Sequence, residues 1–223
     1  LLLELISSPR INKDAFETEK EVVLEEIAQS NDQPEEVIFA TLLEGCWPSH
    51  RYGRPILGNK ESINKMISKE MKSFHKHQYF GKNCTLSIAG ELPEGITSII
   101  NNSELNSLRT ASQETDLNIK PIFKKGYKKQ LIPRLESGRI LKAWELAPAK
   151  EQLLVLGAEI ATTILSEGRV SHMVRKLREE LQIVESIEMD LHILERGGLV
   201  ILEACCPTEN INKVENEINK ILL

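Results

Sequence analysis

The sequence predicts an α+β protein built from two related α/β-sandwich-like units, each an antiparallel-rich sheet with helices packed on it. Three observations carry that expectation. Apolar residues recur at helical spacing in several separated blocks. Short alternating or β-branched runs lie between those blocks and end in Gly90 or in Cys206-Pro207. A polar, aperiodic stretch in the middle separates two halves with a related order of helices and strands.

A first helix is expected from Asn12 or Asp14 to about Ser30. "NDQP" ends it, because the residue before Pro34 is pushed out of helical geometry. A second helix follows from Glu35 to about Gly45. "WPSHRYGRPILG" reads as a loop anchored by Trp47, Tyr52 and Ile56. "KESINKMISKEMKSFHKHQY" places Ile63, Met66, Ile67, Met71 and Phe74 at helical spacing and predicts one further helix. "NCTLSIAGEL" alternates and predicts a strand, and "PEGITSIINNSEL" another helix.

Residues 102 to 122 are polar without a period and predict an interdomain linker, placed at 106–125 between segments 1–105 and 126–223. The second half then predicts strands near Lys129–Ile132 and Arg139–Glu145. A long helix should run from Glu151 to about Ser166, with Leu153, Leu154, Leu156, Ile160, Thr163 and Ile164 as its core stripe. A helix over Val170–Leu181, strands at Ile183–Met189 and Gly198–Ala204, and a last helix over Thr208–Leu223 complete the reading.

Composition narrows the partners. The 223 residues carry a net charge of −5 and no basic patch with interleaved aromatics, which argues against nucleic acid. Lys124, Lys125, Lys128 and Lys129 read as a solvated loop. No apolar run is long enough to span a bilayer, so no membrane partner is expected. The chain opens on "LLLELISSPR" without Met and reads as an excised piece, truncated at both ends. The expected location is cytoplasmic, or periplasmic or organellar if a signal precedes this segment. Cys46, Cys84, Cys205 and Cys206 contain no CxxC pair and read as free buried thiols in a reducing compartment.

The stretch "EKEVVLEEI" raises the sharpest question, because four of its nine residues are glutamates. On a wheel of roughly 100° per residue, Phe16, Val23 and Ile27 form one stripe, while Glu17, Glu21 and Glu25 fall on the open face. Glu19 and Glu26, seven residues apart, stack on a line roughly 60° to 80° from Phe16, inside the apolar arc. A carboxylate there must be paired, protonated, bound to metal or able to reach the helix edge. Geometry leaves those alternatives open.

Further motifs carry a resemblance. "EKEVVLEE", then "YGRPILG", "FHKHQY" and the run "TLSIAG", together with "EGRVSHMVRKLREELQIVESI" and "GGLVILEACCP", resemble the insulinase/pitrilysin family of zinc peptidases over nearly the whole chain. These are inverzincins, similar also to mitochondrial processing peptidase, with a metal site of H-x-x-E-H plus a distant glutamate. The resemblance implies that segment 1–105 is the C-terminal part of a first peptidase-like domain. Segment 126–223 is then the N-terminal part of a second, non-catalytic one. It makes Glu26 the third zinc ligand and Glu19 a supporting acid. Two imidazoles and one carboxylate leave a zinc position for water, whose proton the glutamate of H-x-x-E-H accepts.

Two departures limit that implication. His50, His75, His77, His172 and His192 form no H-x-x-E-H, and only 25 residues precede Glu26. His75 and His77, two apart on a helix, point away from each other, and Ser171–His172 lacks the acid of a nucleophilic triad. The family often uses an Arg and a Tyr seven residues apart for substrate and oxyanion. Here Arg178 keeps the first place while Glu185 stands at the second. The expected function is therefore a piece of a zinc metalloendopeptidase acting on peptides, inactive alone and carrying no catalytic residue of its own. Its partners would be a peptide substrate and a second family subunit or a second copy. The alternative is a non-catalytic subunit that scaffolds an active one.

Overall fold

The computed structural model describes residues 2–108 and 119–223. Residues 109–118 of the predicted linker lie outside the described residues. The elements in chain order are α1 (Leu2–Ser7), α2 (Lys13–Asp32), α3 (Pro34–Cys46), α4 (Lys60–Lys65), α5 (Ser68–Gln78), α6 (Ile96–Asn101), β1 (Gly138–Leu146), α7 (Gln152–Ser166), β2 (Ser186–Leu194), β3 (Gly197–Cys206) and α8 (Ile211–Ile221). A π-helical segment, Val174–Glu180, lies between α7 and β2. The chain forms two compact units, one of residues 1–29 and 56–118, the other of residues 30–55 and 119–223.

Among its described residues the first unit is helical. In α2, Phe16 and Ile27 are buried. Lys20 bridges outward: it pairs with Glu17 at 2.7 Å, lies 5.8 Å from the Phe16 ring centre and donates to the Met66 carbonyl at 3.4 Å. That carbonyl is free because the predicted helix over residues 60–79 breaks there. Met66 turns extended at φ −70°, ψ 140°, closing α4, and the Glu70 carboxylate accepts from the Ile67 N–H at 3.1 Å, opening α5. The predicted strand over "NCTLSIAGEL" does not form. A strand needs a neighbour for its ladder, and the described residues offer that segment none, leaving Leu86 and Ile88 exposed.

The second unit holds an antiparallel sheet in the order β1-β3-β2. Gly138–Leu146 of β1 runs against Cys206–Gly198, and Ser186–Leu194 of β2 against Cys205–Gly197. The central strand β3 is covered on both faces, which explains its near-continuous apolar run. Leu202, Ala204 and Cys206 meet Ile140, Met173, Leu177, Ile183, Ile187, Val214 and Ile218. Leu199 and Ile201, on the opposite face by strand alternation, meet Cys46 and Trp47 at the end of α3. Residues 30–55 therefore pack with 119–223 rather than with their sequence neighbours. Gly198 is needed because a Cβ there would lie 2.7 Å from the His192 carbonyl.

Two further expectations fail in this unit. Lys129–Ile132 forms no strand, and Leu131 is 95% exposed. Helix α7 faces the other way from its predicted stripe. It buries Val155, Thr162 and Ser166, while Leu153, Leu154, Leu156, Ile160 and Ile164 face out. Ser166 fixes this orientation, since its hydroxyl donates to the Thr162 carbonyl at 3.0 Å and accepts from the Met189 N–H on β2 at 2.9 Å. The α+β class stands, with helices on an antiparallel sheet.

Candidate functional site

The helix α2 keeps Glu19 and Glu26 two turns apart on one line, but not inside an apolar arc. Only Phe16 and Ile27 of that helix are buried, Val23 is half-buried and Val22 is 44% exposed. The arc is narrower than the wheel drew it, so both carboxylates reach solvent. Neither carries a hydrogen bond or ion pair to another side chain among the described residues. Glu21 and Glu25 are exposed as expected, while Glu17, placed on the open face, is half-buried and paired with Lys20.

The histidines are committed elsewhere. His75 Nε2 donates to the Ile6 carbonyl at 2.9 Å and its ring stacks on Tyr79 at 4.5 Å. His77 Nδ1 donates to the Ser73 carbonyl at 2.6 Å. His50 is buried at 7% exposure, its Nδ1 accepting from the Tyr52 N–H at 3.2 Å and its Nε2 donating to the Ile119 carbonyl at 3.1 Å. His192 lies edge-on to Phe39 at 5.6 Å, and burial holds its pKa below the usual imidazole range. His172 is exposed.

A protein zinc site needs about three side-chain ligands converging on one point. Among the described residues no group of three or more His, Cys, Asp or Glu is arranged to hold a metal ion. The residues present therefore do not by themselves fit a zinc centre, and no hydrolytic step is assigned to them.

Arg178 and Glu185 belong to different environments. Arg178 is exposed on the π-helical segment, which is closed by Leu181 N–H donating to the Lys176 carbonyl at 3.0 Å and by Gln182 at φ 53°. Glu185 accepts from the Cys205 thiol at 3.1 Å and from the Ser137 hydroxyl at 3.0 and 3.2 Å. Those donors, helped by the charge of Arg139, hold its carboxyl below the usual range. An ionised carboxylate cannot donate to an oxyanion. Burial, then the Glu185 carboxylate, pushes the Cys205 thiol up, and burial first of all does the same for Cys206 and Cys46. High-pKa thiols are poor nucleophiles.

Sequence reading missed this polar cluster and the ion pairs beside it. Arg139 bonds Glu203 at 3.0 Å and Glu35 at 3.2 Å, its Nε without a hydrogen-bond partner among the described residues. Arg139 faces Cys205 across the sheet, and Glu203 is its diagonal neighbour on the same face. Only the register reveals that pairing.

Comparison with known proteins adds the family context. The profile of the peptidase M16 inactive domain matches residues 65–223. An uncharacterised zinc protease of Mycobacterium leprae is 25% identical over 93% of this chain and 47% of its own length. A probable mitochondrial-processing peptidase subunit beta of Schizosaccharomyces pombe is 28% identical over 41% of this chain and 20% of its own. A solved peptidase M16 inactive domain from Pseudomonas fluorescens superposes with a TM-score of 0.80 at 14% identity, over 99% of this chain and 53% of that one. The chain thus spans about half the length of the zinc protease it matches. No helix among the described residues is long and apolar enough to cross a membrane.

Proposed function

Because this chain belongs to the M16 peptidase family, matched through its inactive domain over residues 65–223, we propose that it is a non-catalytic wall of a zinc metalloendopeptidase that cleaves peptides. In this reading residues 1–105 close a first peptidase-like domain, and 126–223 open a second one across the 106–125 linker. Glu26 is the carboxylate ligand of a zinc ion whose two histidines come from an H-x-x-E-H segment outside this chain, and Glu19 supports it. The observation that carries the reading is the exposure of Glu19 and Glu26 on one line of α2 without a cationic side chain on either among the described residues. Both carboxylates are open to ligands supplied from outside.

A second reading, a non-catalytic subunit scaffolding an active peptidase, is favoured by Glu185. Its carboxyl is held ionised where an active family member would need a donor. The relative named a subunit of mitochondrial processing peptidase supports a chain that works beside a family partner. Either reading calls for a peptide substrate and a family partner.

The test has two arms. The purified chain should hold far less than one zinc per molecule and should not hydrolyse a quenched fluorescent peptide. Stoichiometric zinc lost on Glu26→Gln would show that this chain builds the metal site itself. In a complete peptidase carrying both H-x-x-E-H and this segment, Glu26→Gln should strip the zinc and abolish hydrolysis. Retained activity there would show that Glu26 is no ligand.

A further inference from the structure

The loop "WPSHRYG", Trp47 to Gly53, is buried where a surface connection would be exposed. Trp47 is 1% exposed and His50 7%, while Ile56, expected as a third anchor, is fully exposed. The aromatic rings form a row. Trp47 lies edge-on to Tyr52 at 5.5 Å, and Tyr52 edge-on to His50 at 4.4 Å. The chain doubles back so tightly that a Cβ on Gly53 would lie 2.4 Å from the Trp47 carbonyl oxygen. The Tyr52 hydroxyl accepts from the Arg196 N–H at 3.2 Å, in the turn between β2 and β3.

On its other side the loop holds the chain that leads towards β1, within the same compact unit. His50 Nε2 meets the Ile119 carbonyl at 3.1 Å, and the Lys124 N–H donates to the Cys46 carbonyl at 2.8 Å. Phe123 packs against the cluster of Cys46, Trp47, Leu199 and Ile201, and Pro121 is buried beside Gly197. The roles of the two imidazole nitrogens are forced. The Tyr52 N–H can only donate, so Nδ1 accepts, at 3.2 Å. The Ile119 carbonyl can only accept, so Nε2 carries the proton. One ring in one tautomer thus joins the loop to the incoming chain. Few other contacts hold that chain. Residues 124–131 are exposed throughout, and the Arg134–Asp32 pair beyond them is an exposed one of little strength. The next firm point is Ser137, whose hydroxyl bonds Glu185 at 3.0 Å. Strand β3, by contrast, is laddered on both edges.

We propose that the Trp47–Gly53 loop is a releasable clasp, pinned by His50, which opens as a local unit and frees residues 119–124 while the sheet stays folded. Local opening draws on the segments with the fewest buried contacts, and this one is held by two hydrogen bonds and two side chains. Closed, the clasp fixes the incoming chain at Ile119. Open, it leaves that chain fixed only from Ser137 onward, so residues 119–136 join the tether between the two units. The loop thereby sets the length of that tether. Neither the zinc-ligand role of Glu26 nor the scaffold reading enters this inference, and its failure leaves both untouched.

Native-state amide hydrogen exchange tests it on the unaltered chain and two variants. In the unaltered chain the Lys124 and Tyr52 amides should exchange at least about tenfold faster than those of β3. His50→Leu keeps bulk but loses both hydrogen bonds, and should speed Lys124 and Tyr52 by a further factor of about ten while β3 stays unchanged. His50→Gln keeps one acceptor and one donor and should stay within about threefold of the unaltered chain. Exchange of Lys124 in step with β3 would show that the segment opens only with the whole unit and would overturn the proposal. A Lys124 amide indifferent to His50→Leu, or one that loses protection equally in His50→Gln, would show that the ring is not the pin. Should neither variant fold, the unaltered chain still decides, through that comparison with β3 and through the imidazole nitrogen shifts of His50. Those shifts should report the Nε2–H form, and the Nδ1–H form would overturn the clasp.

Discussion

Strand β3 and helix α7 are both apolar along most of their length, yet the molecule treats them in opposite ways. Leu202, Ala204 and Cys206 of β3 pack into the core on one face, and Leu199 and Ile201 meet the α3 end and Trp47 on the other. In α7, Leu153, Leu154 and Leu156 face out, while Val155, Thr162 and Ser166 are buried and Leu165 packs against the core. Apolar content told where burial could occur. The neighbours decided where it did: β3 has β1 and β2 beside it and packing above and below, whereas α7, among the described residues, packs on β2 and the sheet face. One hydroxyl tips the helix, since Ser166 satisfies the Met189 N–H only with the polar side inward.

The sharpest way to break this contrast is to truncate a leucine in each element. Leu202 is fully buried at the centre of the sheet. Leu202→Ala should cost about 2–5 kcal/mol through lost contacts and the cavity left behind. Both tryptophans, Trp47 and Trp144, lie in the same unit as the sheet, so the fluorescence midpoint in urea reports this unit. An unchanged midpoint would mean that β3 is not the centre of the core.

Ser166→Ala should come next, at about 1–3 kcal/mol, because it leaves the Met189 N–H without its acceptor. Altered α7 accessibility in this variant would sharpen the claim that the hydroxyl sets the helix's rotation. Stability unchanged by Ser166→Ala would show that the leucines, not the serine, choose the exposed face.

A smaller effect depends on pH. Burial lowers the His192 pKa in the folded chain, so between that value and the unfolded value of about 6.5 the unfolded chain binds more protons. Stability should therefore be full above about pH 6.5 and decline as pH falls through that window. The carboxylates of Glu179, Glu180, Glu185 and Glu217, held below their ordinary value of 4.5, lose their contribution only at lower pH. Urea midpoints at pH 7.5 and 5.5 separate the two windows. Replacing His192 with Gln should flatten the difference, and a persistent difference would assign it to another group.

Much of this fold was legible from the residues. The spans of β1, α7 and β3 fall within a few residues of those that periodicity predicts, because each is long and strongly patterned. What escaped depended on partners distant in sequence. "NCTLSIAGEL" has the alternation of a strand, but alternation cannot supply the neighbouring strand. The break between α4 and α5 carries a local Glu70 cap, masked by the helical spacing of the apolar residues, and a Lys20 contact from a distant helix that no local window contains. The seven-residue spacing of Glu19 and Glu26 survives intact in α2. Their place inside an apolar arc does not, since it required Val22 and Val23 both to be core. The Ser137–Glu185–Cys205 cluster joins three segments through sheet register, which single-sequence reading does not contain.

The smallest expected effect closes the contrast between strand and helix. Leu153 is 86% exposed, so Leu153→Gln removes almost no buried apolar area from the isolated chain. Its urea midpoint at low micromolar concentration should move by no more than about 0.5 kcal/mol in equivalent stability. The same type of residue would then cost several kilocalories in β3 and nearly nothing in α7. A large loss at low concentration would instead mean that Leu153 is core after all, and that the sequence-based stripe had the right face.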